Sequence, residues 1–457
     1  QLQRLCKTPT KRFLNNGRRA EKKVVLVSAT PLNNRPGDIR NQVFLFQDGK
    51  DSTLDIANLQ SYFSKKIEAY KHAMRVDDIP IAQKQVAVIY EDIRKMIIEP
   101  LTVRRTRTDL MEHELYKKDL DSQGIVFPQI EPPKKILYEL DDTLDTLYDH
   151  TMRTLSDENE GLKYFRYRAI EFLVPDLKLK YKNAYMLSTQ LAKMMKILLV
   201  KRIDSSFYAF KKSLHRFLDA TEIIVNMFES KKIYIAPNLK VNQLISEGRE
   251  DELIQLIAEA QGTDPTIQIC TPDDFESEFY IGLKRDYEIL KKLVEDWDKI
   301  DDSNDPKLNE FIKQLNESIL DKSTNPSGKV VIFSESKETI DHVSKNLQKQ
   351  GFEKLLSVSA ENRDQLKNVI TENFDANYKL ENQKNDFNII FTTEVLAEGV
   401  NLHRSNVIVN YDTPWNSTKL MQRIGRINRI GTTASKIFIY NFYPTTNVDS
   451  DIELKKK

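Results

Sequence analysis

The sequence predicts an α/β fold in which a parallel-sheet domain, over residues 326–445, follows a long and mainly helical region. Two observations carry this prediction. From residue 326 onward, short apolar runs alternate with amphipathic helical patterns, which is typical of a parallel sheet covered on both faces. Over residues 51–127 and 151–325, apolar residues instead recur at spacings of three and four, which favours helices.

Composition limits the possible classes of protein. The 457 residues are enough for two or three domains, and the net charge of +1 means that any basic surface for nucleic acid must be local. Cys6 and Cys270 are far apart and have no histidine pairs nearby, which argues against a zinc site or disulfides and fits a reducing cytoplasm. No apolar run reaches about 18 residues, so we expect no membrane span. The chain begins at Gln1 rather than Met, and we expect it to be a piece of a longer product.

The first elements are a strand and a helical subdomain. Residues 24–27 (Val-Val-Leu-Val) predict a buried strand that ends at Ser28, Ala29 and Thr30. Two helical patterns follow, formed by Leu59, Phe63, Ile67 and Tyr70 and then by Val86, Ile89, Ile93 and Ile97. The basic pair Arg104 and Arg105 comes next, and such a run is either a solvated face or a phosphate contact.

The middle of the chain gives fewer signals. Pro128, Pro132 and Pro133 disfavour helix, so we expect an extended crossing over residues 128–150 with a strand at 136–140. Within the helical region 151–325, Met194 and Met195 predict core packing. Residues 178–216 hold many lysines and arginines against a single acid. This stretch either follows a phosphate backbone or forms a solvated helical face.

The final domain has the most regular pattern. Strands are predicted at residues 330–333, 355–358, 389–391, 407–409 and 437–440. Ser336 and Asn362 are predicted to cap helices, and a further helix is predicted over 417–429. Ligands of such sheets gather at the carboxyl ends of the strands. Ser334, Thr392, Thr393 and Asp412 follow predicted strands.

The last predicted helix carries Gln422, Arg426 and Arg429. The two arginines are three residues apart and are therefore expected to share one helical face. Two guanidinium groups presented together suit the spread negative charge of a phosphoryl group during transfer.

At these residues the chain resembles the superfamily 2 nucleic-acid-dependent ATPases. The run QRIGRINR is similar to their last motif, and TTEVLAEGVN is similar to the motif before it. The runs LVSATPLNN, VRRTRTDLMEH and YDTPWNSTKLMQRIGRINRIG resemble the Swi/Snf-like branch, especially its bacterial translocase members. This resemblance implies the tail of a first RecA-like lobe at 1–50, an interlobe crossing at 128–150, a helical insertion at 151–325, a second RecA-like lobe at 326–445 and a basic tail at 446–457.

The resemblance also implies roles for individual residues. Arg426 and Arg429 would act as arginine fingers, and Gln422 would orient the same site. Glu398, Gly399 and Asn401 would lie near the nucleotide, and Ser28, Ala29 and Thr30 would couple nucleotide state to nucleic acid. Hydroxyl and cationic groups would contact nucleic acid, namely Ser334, Thr392, Thr393, Arg104, Arg105 and Arg202. For Ser334 and Thr393, capping of a strand end is the alternative.

The predicted function is that of the C-terminal motor half of an ATP-dependent translocase or helicase acting on DNA, with duplex DNA as the expected substrate. The sequence holds neither a G-x-x-x-x-G-K-[ST] loop nor an acidic D-E-x-x motif upstream of Val24. ATP with Mg²⁺ would therefore be bound mainly by a preceding lobe, and this chain alone is expected to be inactive. Two alternatives are the motor of a restriction or defence system with a nuclease domain or partner, and a non-catalytic nucleic-acid-binding module.

Overall fold

A computed structural model of the chain describes residues 1–13, 17, 19–20, 22–27, 35–74, 79–103, 106–157, 159–178, 182–231, 233–235, 268–301, 305–414, 417–432 and 434–444. These residues fall into two compact units, Gln1–Asp119 and Leu120–Lys455. The predicted basic tail 446–457 lies outside the described residues. Within the described part of the chain, no helix is both long and apolar enough to cross a membrane.

The described secondary structure of the first unit is mainly helical. Its helices are α1 Leu2–Lys7, α2 Pro36–Val43, α3 Leu59–Ala73, α4 Ile79–Ile93, α5 Glu99–Leu101, α6 Arg107–Glu112 and α7 Glu114–Ser122, the last of which crosses into the second unit. Leu59 and Phe63 of α3 pack in one core with Ile89, Ile93 and Ile97. The predicted apolar spacing is therefore confirmed for both helical patterns.

The prediction of a buried strand at residues 24–27 is wrong. The run has no strand assignment, and Val25 and Val27 are 82% and 97% exposed. A strand needs a partner for its main-chain groups. Among the described residues of the first unit, the one β-type pairing is an isolated bridge between Phe13 and Arg19. The apolar run consequently has no sheet to join there.

Nine strands are described in the second unit. They are β1 Gln129–Ile130, β2 Lys134–Tyr138, β3 Ile233–Ile235, β4 Gln268–Cys270, β5 Val330–Phe333, β6 Leu355–Val358, β7 Ile389–Thr392, β8 Val407–Asn410 and β9 Lys436–Pro444. Seven of them form one sheet in the order β1-β9-β8-β5-β7-β6, with β2 also paired to β9. Every pairing in this sheet is parallel, which confirms the predicted α/β class.

The proline-containing segment 128–150 contributes to this sheet. Both β1 and β2 pair with β9, so the segment supplies two edge strands where one was predicted. The observed β2 begins and ends two residues before the predicted 136–140 strand. Pro132 and Pro133 separate the two strands, and each lacks the main-chain donor that a continuous ladder would need.

The helical region between β2 and β5 has its own apolar cores. Its helices are α8 Asp142–Ser156, α9 Pro175–Lys178, α10 Lys182–Ser205, α11 Phe207–Glu229 and α12 Ser277–Trp297. Met195 is fully buried there, as predicted. The Trp297 ring lies 5.1 Å from the rings of both Phe207 and Phe210, and its Nε1 donates to Thr151 Oγ1 at 2.9 Å. This helical region, called the insertion below after the sequence-based expectation, therefore carries a core distinct from that of the sheet.

Four helices cover the sheet: α13 Pro306–Gln314, α14 Lys337–Lys349, α15 Arg363–Phe374 and α16 Ser417–Ile427. The strands β5, β7 and β8 are buried at every position. Phe311 of α13 packs with the sheet, so this core extends N-terminal to residue 326. Ser336 caps α14 by accepting from the Thr339 amide at 3.3 Å, as predicted. Asn362 precedes α15 but makes no capping bond from its side chain.

Candidate functional site

The loop between β7 and β8 receives both predicted arginine fingers. Arg426 donates from Nη1 to the Val400 main-chain oxygen at 3.4 Å, and Arg429 donates from Nη1 to Asn401 Oδ1. Helix α16 ends at Ile427, so the expectation that the arginines share one helical face is wrong. Arg429 lies beyond the helix, where the chain has turned. The two side chains nevertheless reach adjacent residues of one loop.

Gln422 and Glu398 complete the polar surface beside these arginines. Gln422 Nε2 donates to Glu398 Oε1 at 2.7 Å. Both arginines are half-buried. Burial lowers the pKa of Arg426, the neighbouring charge of Arg429 lowers it further, and Glu398 opposes the shift. An arginine stays protonated despite such a shift. The site thus places two cationic groups close together on the loop between β7 and β8, an arrangement that suits an anionic ligand.

Gly399 adopts a backbone conformation in this loop that residues with a side chain rarely adopt. Its φ is +76°, in the left-handed region. A Cβ atom built there would lie 3.0 Å from Nη2 of Arg363, which itself donates to the Glu398 main-chain oxygen at 3.2 Å. Asn401 donates from Nδ2 to Asp375 Oδ2 at 2.8 Å. Hydrogen bonds from Arg363 and to Asp375 thereby hold the loop from both sides.

Arg423 connects helix α16 to the strand ends. It is fully buried and donates from Nη1 to Asn410 Oδ1 at 2.9 Å and to the Asp412 main-chain oxygen at 3.1 Å. Its Nε donates to Glu394 Oε1 at 3.0 Å, and its guanidinium lies 5.1 Å from the Phe333 ring centroid. Sequence reasoning assigned Arg423 no role, although it lies in the same motif. Its spacing of three residues from Leu420 and four from Ile427, both packed in the core, is the signal that could have indicated a buried residue.

The hydroxyl groups after the strands have different surroundings. Ser334 is buried and donates to Asp412 Oδ2 at 2.6 Å. Thr392 is also buried, and its hydroxyl donates to the Thr393 main-chain oxygen at 3.0 Å. Thr393 is half-buried and precedes the short turn Glu394–Leu396 without a capping bond from its side chain. Of these three residues, Thr393 is the most exposed to solvent.

The remaining predicted site residues lie elsewhere or outside the described residues. Arg202 is buried, and it donates from Nη1 to Ser336 Oγ at 2.7 Å. Other cations of the stretch 178–216 also make internal contacts, such as Lys196 with the Ser156 oxygen and Lys211 with the Ile300 oxygen. Ser28, Ala29, Thr30, Arg104 and Arg105 lie outside the described residues.

Comparison with known proteins identifies the sheet domain. Residues 307–431 match the family model of the helicase conserved C-terminal domain. An uncharacterized ATP-dependent helicase, YqhH of Bacillus subtilis, is 29% identical over 178 residues, which cover 36% of this chain and 29% of that protein. The ATP-dependent RNA helicase DBP2 of Eremothecium gossypii is 26% identical over 151 residues, which cover 33% of this chain and 23% of that protein.

A solved structure, the C-terminal part of the Fun30 ATPase domain, has 16% sequence identity with this chain and a TM-score of 0.33. That alignment covers 72% of this chain and 90% of the Fun30 chain. The matched segments span less than a third of the two curated helicases. Together with the parallel sheet, the family match places a RecA-like, helicase C-terminal domain over residues 307–431 of this chain.

Proposed function

We propose that this chain is the C-terminal part of the motor of an ATP-dependent translocase or helicase that acts on DNA. The observation that carries the proposal is the convergence of Arg426 and Arg429 on Val400 and Asn401. Two half-buried cations on a preformed loop suit the charge that develops on a transferring phosphoryl group. The helicase domain match and the ATP-dependent helicases among the relatives support the same reading.

In this proposal, ATP is the substrate and its hydrolysis supplies the energy for movement. Arg426 and Arg429 bind the γ-phosphate, while Gln422 and Glu398 hold the edge of the site. Among the described residues, no group of three or more His, Cys, Asp or Glu could hold a metal ion. Because the sequence holds no G-x-x-x-x-G-K-[ST] loop, the proposal assigns Mg²⁺ to the ATP and to the preceding lobe expected from the sequence. On the same basis, the chain alone is proposed not to hydrolyse ATP.

The proposed nucleic-acid contacts are made by neutral hydroxyl groups, whereas the proposed nucleotide contacts are made by two guanidinium groups. Thr393 at the end of β7 is half-buried and suits a hydrogen bond to a phosphate oxygen. Ser334 could reach a phosphate only after its bond to Asp412 is exchanged. Several relatives are named as RNA helicases, so the experiment compares DNA and RNA directly.

The test is the ATPase rate of the intact protein without nucleic acid, and then with single-stranded DNA, duplex DNA or RNA. Stimulation by duplex DNA supports the proposal in full. Stimulation by RNA alone overturns the choice of DNA while retaining the motor. No ATPase under any of the four conditions overturns the motor and favours a non-catalytic binding module. A strand-displacement assay beside a triplex-displacement assay then distinguishes unwinding from translocation.

A further inference from the structure

The two long helices of the insertion meet at a pair of serines beside the strand ends. Ser205 is the last residue of α10, and Ser206 is the N-cap of α11. Ser206 Oγ accepts from the Ala209 amide at 3.1 Å. This junction lies at the carboxyl ends of β5 and β8, because its hydroxyls bond residues that directly follow those strands.

The serine junction is bonded to the sheet domain through buried polar atoms. Ser205 Oγ donates to Asp412 Oδ2 at 2.6 Å, the same oxygen that accepts from Ser334. Thr339 Oγ1 lies 2.8 Å from Ser205 Oγ and 2.9 Å from Ser206 Oγ. All five residues are at most 4% exposed. Buried polar groups are costly when unpaired, so this contact specifies one relative position of insertion and sheet.

Charged groups on both sides reinforce the junction. Arg202, one turn before Ser205, donates to Ser336 at 2.7 Å and lies 3.3 Å from Glu338. The buried ammonium of Lys307 donates to the Ser205 main-chain oxygen at 2.9 Å. A cation at the last carbonyls of α10 is favoured by the helix dipole. Arg202 of α10 and Lys307 of α13 therefore both stabilise the contact between the serine junction and the sheet domain.

A short chain of bonds leads from this junction to the arginine pair. Ser205 bonds the carboxylate of Asp412, and the main-chain oxygen of Asp412 accepts from Arg423. Arg423 lies in α16, one turn before Arg426. A shift of the junction would move Asp412, and Asp412 cannot move without disturbing the fully buried Arg423. Packed polar networks of this kind transmit displacement because they have few alternative arrangements.

We propose that Ser205 and Arg202 are positioning residues through which the helical insertion controls the placement of α16, and with it Arg426. The insertion is then a coupling element, and a ligand or movement that displaces α10 and α11 changes the rate of ATP hydrolysis. This inference rests on the proposed function for its catalytic consequence. Its mechanical part, the dependence of α16 on the serine junction, stands without it.

The test compares Ser205→Ala with Ser213→Ala in the intact protein. Ser213 lies in α11, is also fully buried, and donates to the Ala209 main-chain oxygen at 2.9 Å, so its loss removes a similar bond that stays within one helix. The measurements are kcat and KM for ATP with saturating nucleic acid, and amide hydrogen exchange over residues 417–427. Ser205→Ala should lower kcat about tenfold with KM nearly unchanged, and should speed exchange in α16. Ser213→Ala should do neither.

Equal behaviour of the two variants in both measurements would overturn the inference. A higher rate without nucleic acid in Ser205→Ala would also overturn it, because the junction would then restrain the motor rather than position it. Should Ser205→Ala not fold, Lys201→Gln removes the 2.9 Å ion pair with Glu335 at the edge of the same junction and should give a smaller change in the same direction. If the unmodified protein has no ATPase activity, the proposed function fails, while hydrogen exchange still decides this inference.

Discussion

The guanidinium of Arg423 donates to the main-chain oxygen of Asp412 over 3.1 Å, and this bond ties helix α16 to the end of strand β8. The same Asp412 accepts from Ser205 of the insertion through its carboxylate. Asp412 thus lies between the insertion and the helix that carries Arg426. The stability of this contact and the chemistry of the arginines can be tested separately.

Replacement of Arg423 should destabilise the fold far more than replacement of Arg426. Arg423→Ala would leave Glu394 and the polar groups at Asn410 and Asp412 without their buried cation, at a cost of about 3–5 kcal/mol. Arg426→Ala removes bonds to two main-chain oxygens from a half-buried side chain, at a cost of about 1 kcal/mol. Urea denaturation of both variants measures the difference. Similar losses would contradict the assignment of Arg423 as the structural arginine.

Gly399 and Gly425 should respond oppositely to alanine. Gly399→Ala forces a side chain into φ +76° and places Cβ 3.0 Å from Arg363, so it should cost about 1–2 kcal/mol. Gly425 lies within α16 with nothing within 4 Å of a built Cβ, and Gly425→Ala should stabilise by up to about 1 kcal/mol. Thermal unfolding reports both. A stabilising Gly399→Ala would show that the loop adopts another backbone conformation.

The buried Asp204 should make stability fall as the pH rises. Burial raises its pKa from 3.8 to about 6, with Lys307 opposing the shift, Asp412 and Glu335 adding to it, and Lys201 opposing it. Between pH 4 and 6 the folded chain therefore binds more protons than the unfolded chain, so the folded state loses stability across that range.

Asp204→Asn removes this titration. It should raise the free energy of unfolding relative to the unmodified chain by up to about 3 kcal/mol at pH 7.5, with no such gain at pH 4. Urea titrations of both proteins at the two pH values give the comparison. A difference that does not change with pH would contradict the account of Asp204.

Gly282 should not tolerate a side chain. A Cβ there would lie 2.2–2.5 Å from atoms of the Phe165 ring, inside the core of the insertion. Gly282→Ala should therefore cost about 1–3 kcal/mol through overpacking. Ile281→Ala is the matched control on the same helix, since Ile281 is 69% exposed and should change stability by about 0.5 kcal/mol or less. Calorimetric unfolding of the two variants checks the packing of this helix.

The sheet could be predicted because its strands are chemically distinct. Residues 330–333 and 389–391 are continuous apolar runs, as strands buried on both faces must be. The run 24–27 is similarly apolar, yet it is largely exposed. An apolar, β-branched run does not by itself specify a partner strand, so its burial could not be predicted from the sequence. The end of α16 was placed two residues late, because Asn428 and Arg429 continue the helical pattern in sequence.

The candidate site was less predictable than the sheet. The arginine pair and its loop were indicated by the resemblance of their motifs, and the structure brings Arg426 to Val400 and Arg429 to Asn401. The serine junction was not predictable, because Ser205 meets Asp412 across 207 residues of chain. The resemblance implied that Arg202 contacts nucleic acid, yet in the structure it bonds Ser336, 134 residues further along the chain, and pairs with Glu338. Long-range polar contacts leave no periodic signal in a single sequence.

The most direct test of the central claim is the nucleic-acid-stimulated kcat of the intact protein carrying Arg426→Ala or Arg429→Ala. Arg285→Ala is the control, since Arg285 is an exposed arginine of the insertion that donates to the Glu160 main-chain oxygen at 2.8 Å. We predict that kcat falls by on the order of a thousandfold in both finger variants, with nucleic-acid binding retained, and stays unchanged in the control. Stimulated ATPase that survives in both finger variants would contradict the assignment of these arginines to phosphoryl transfer.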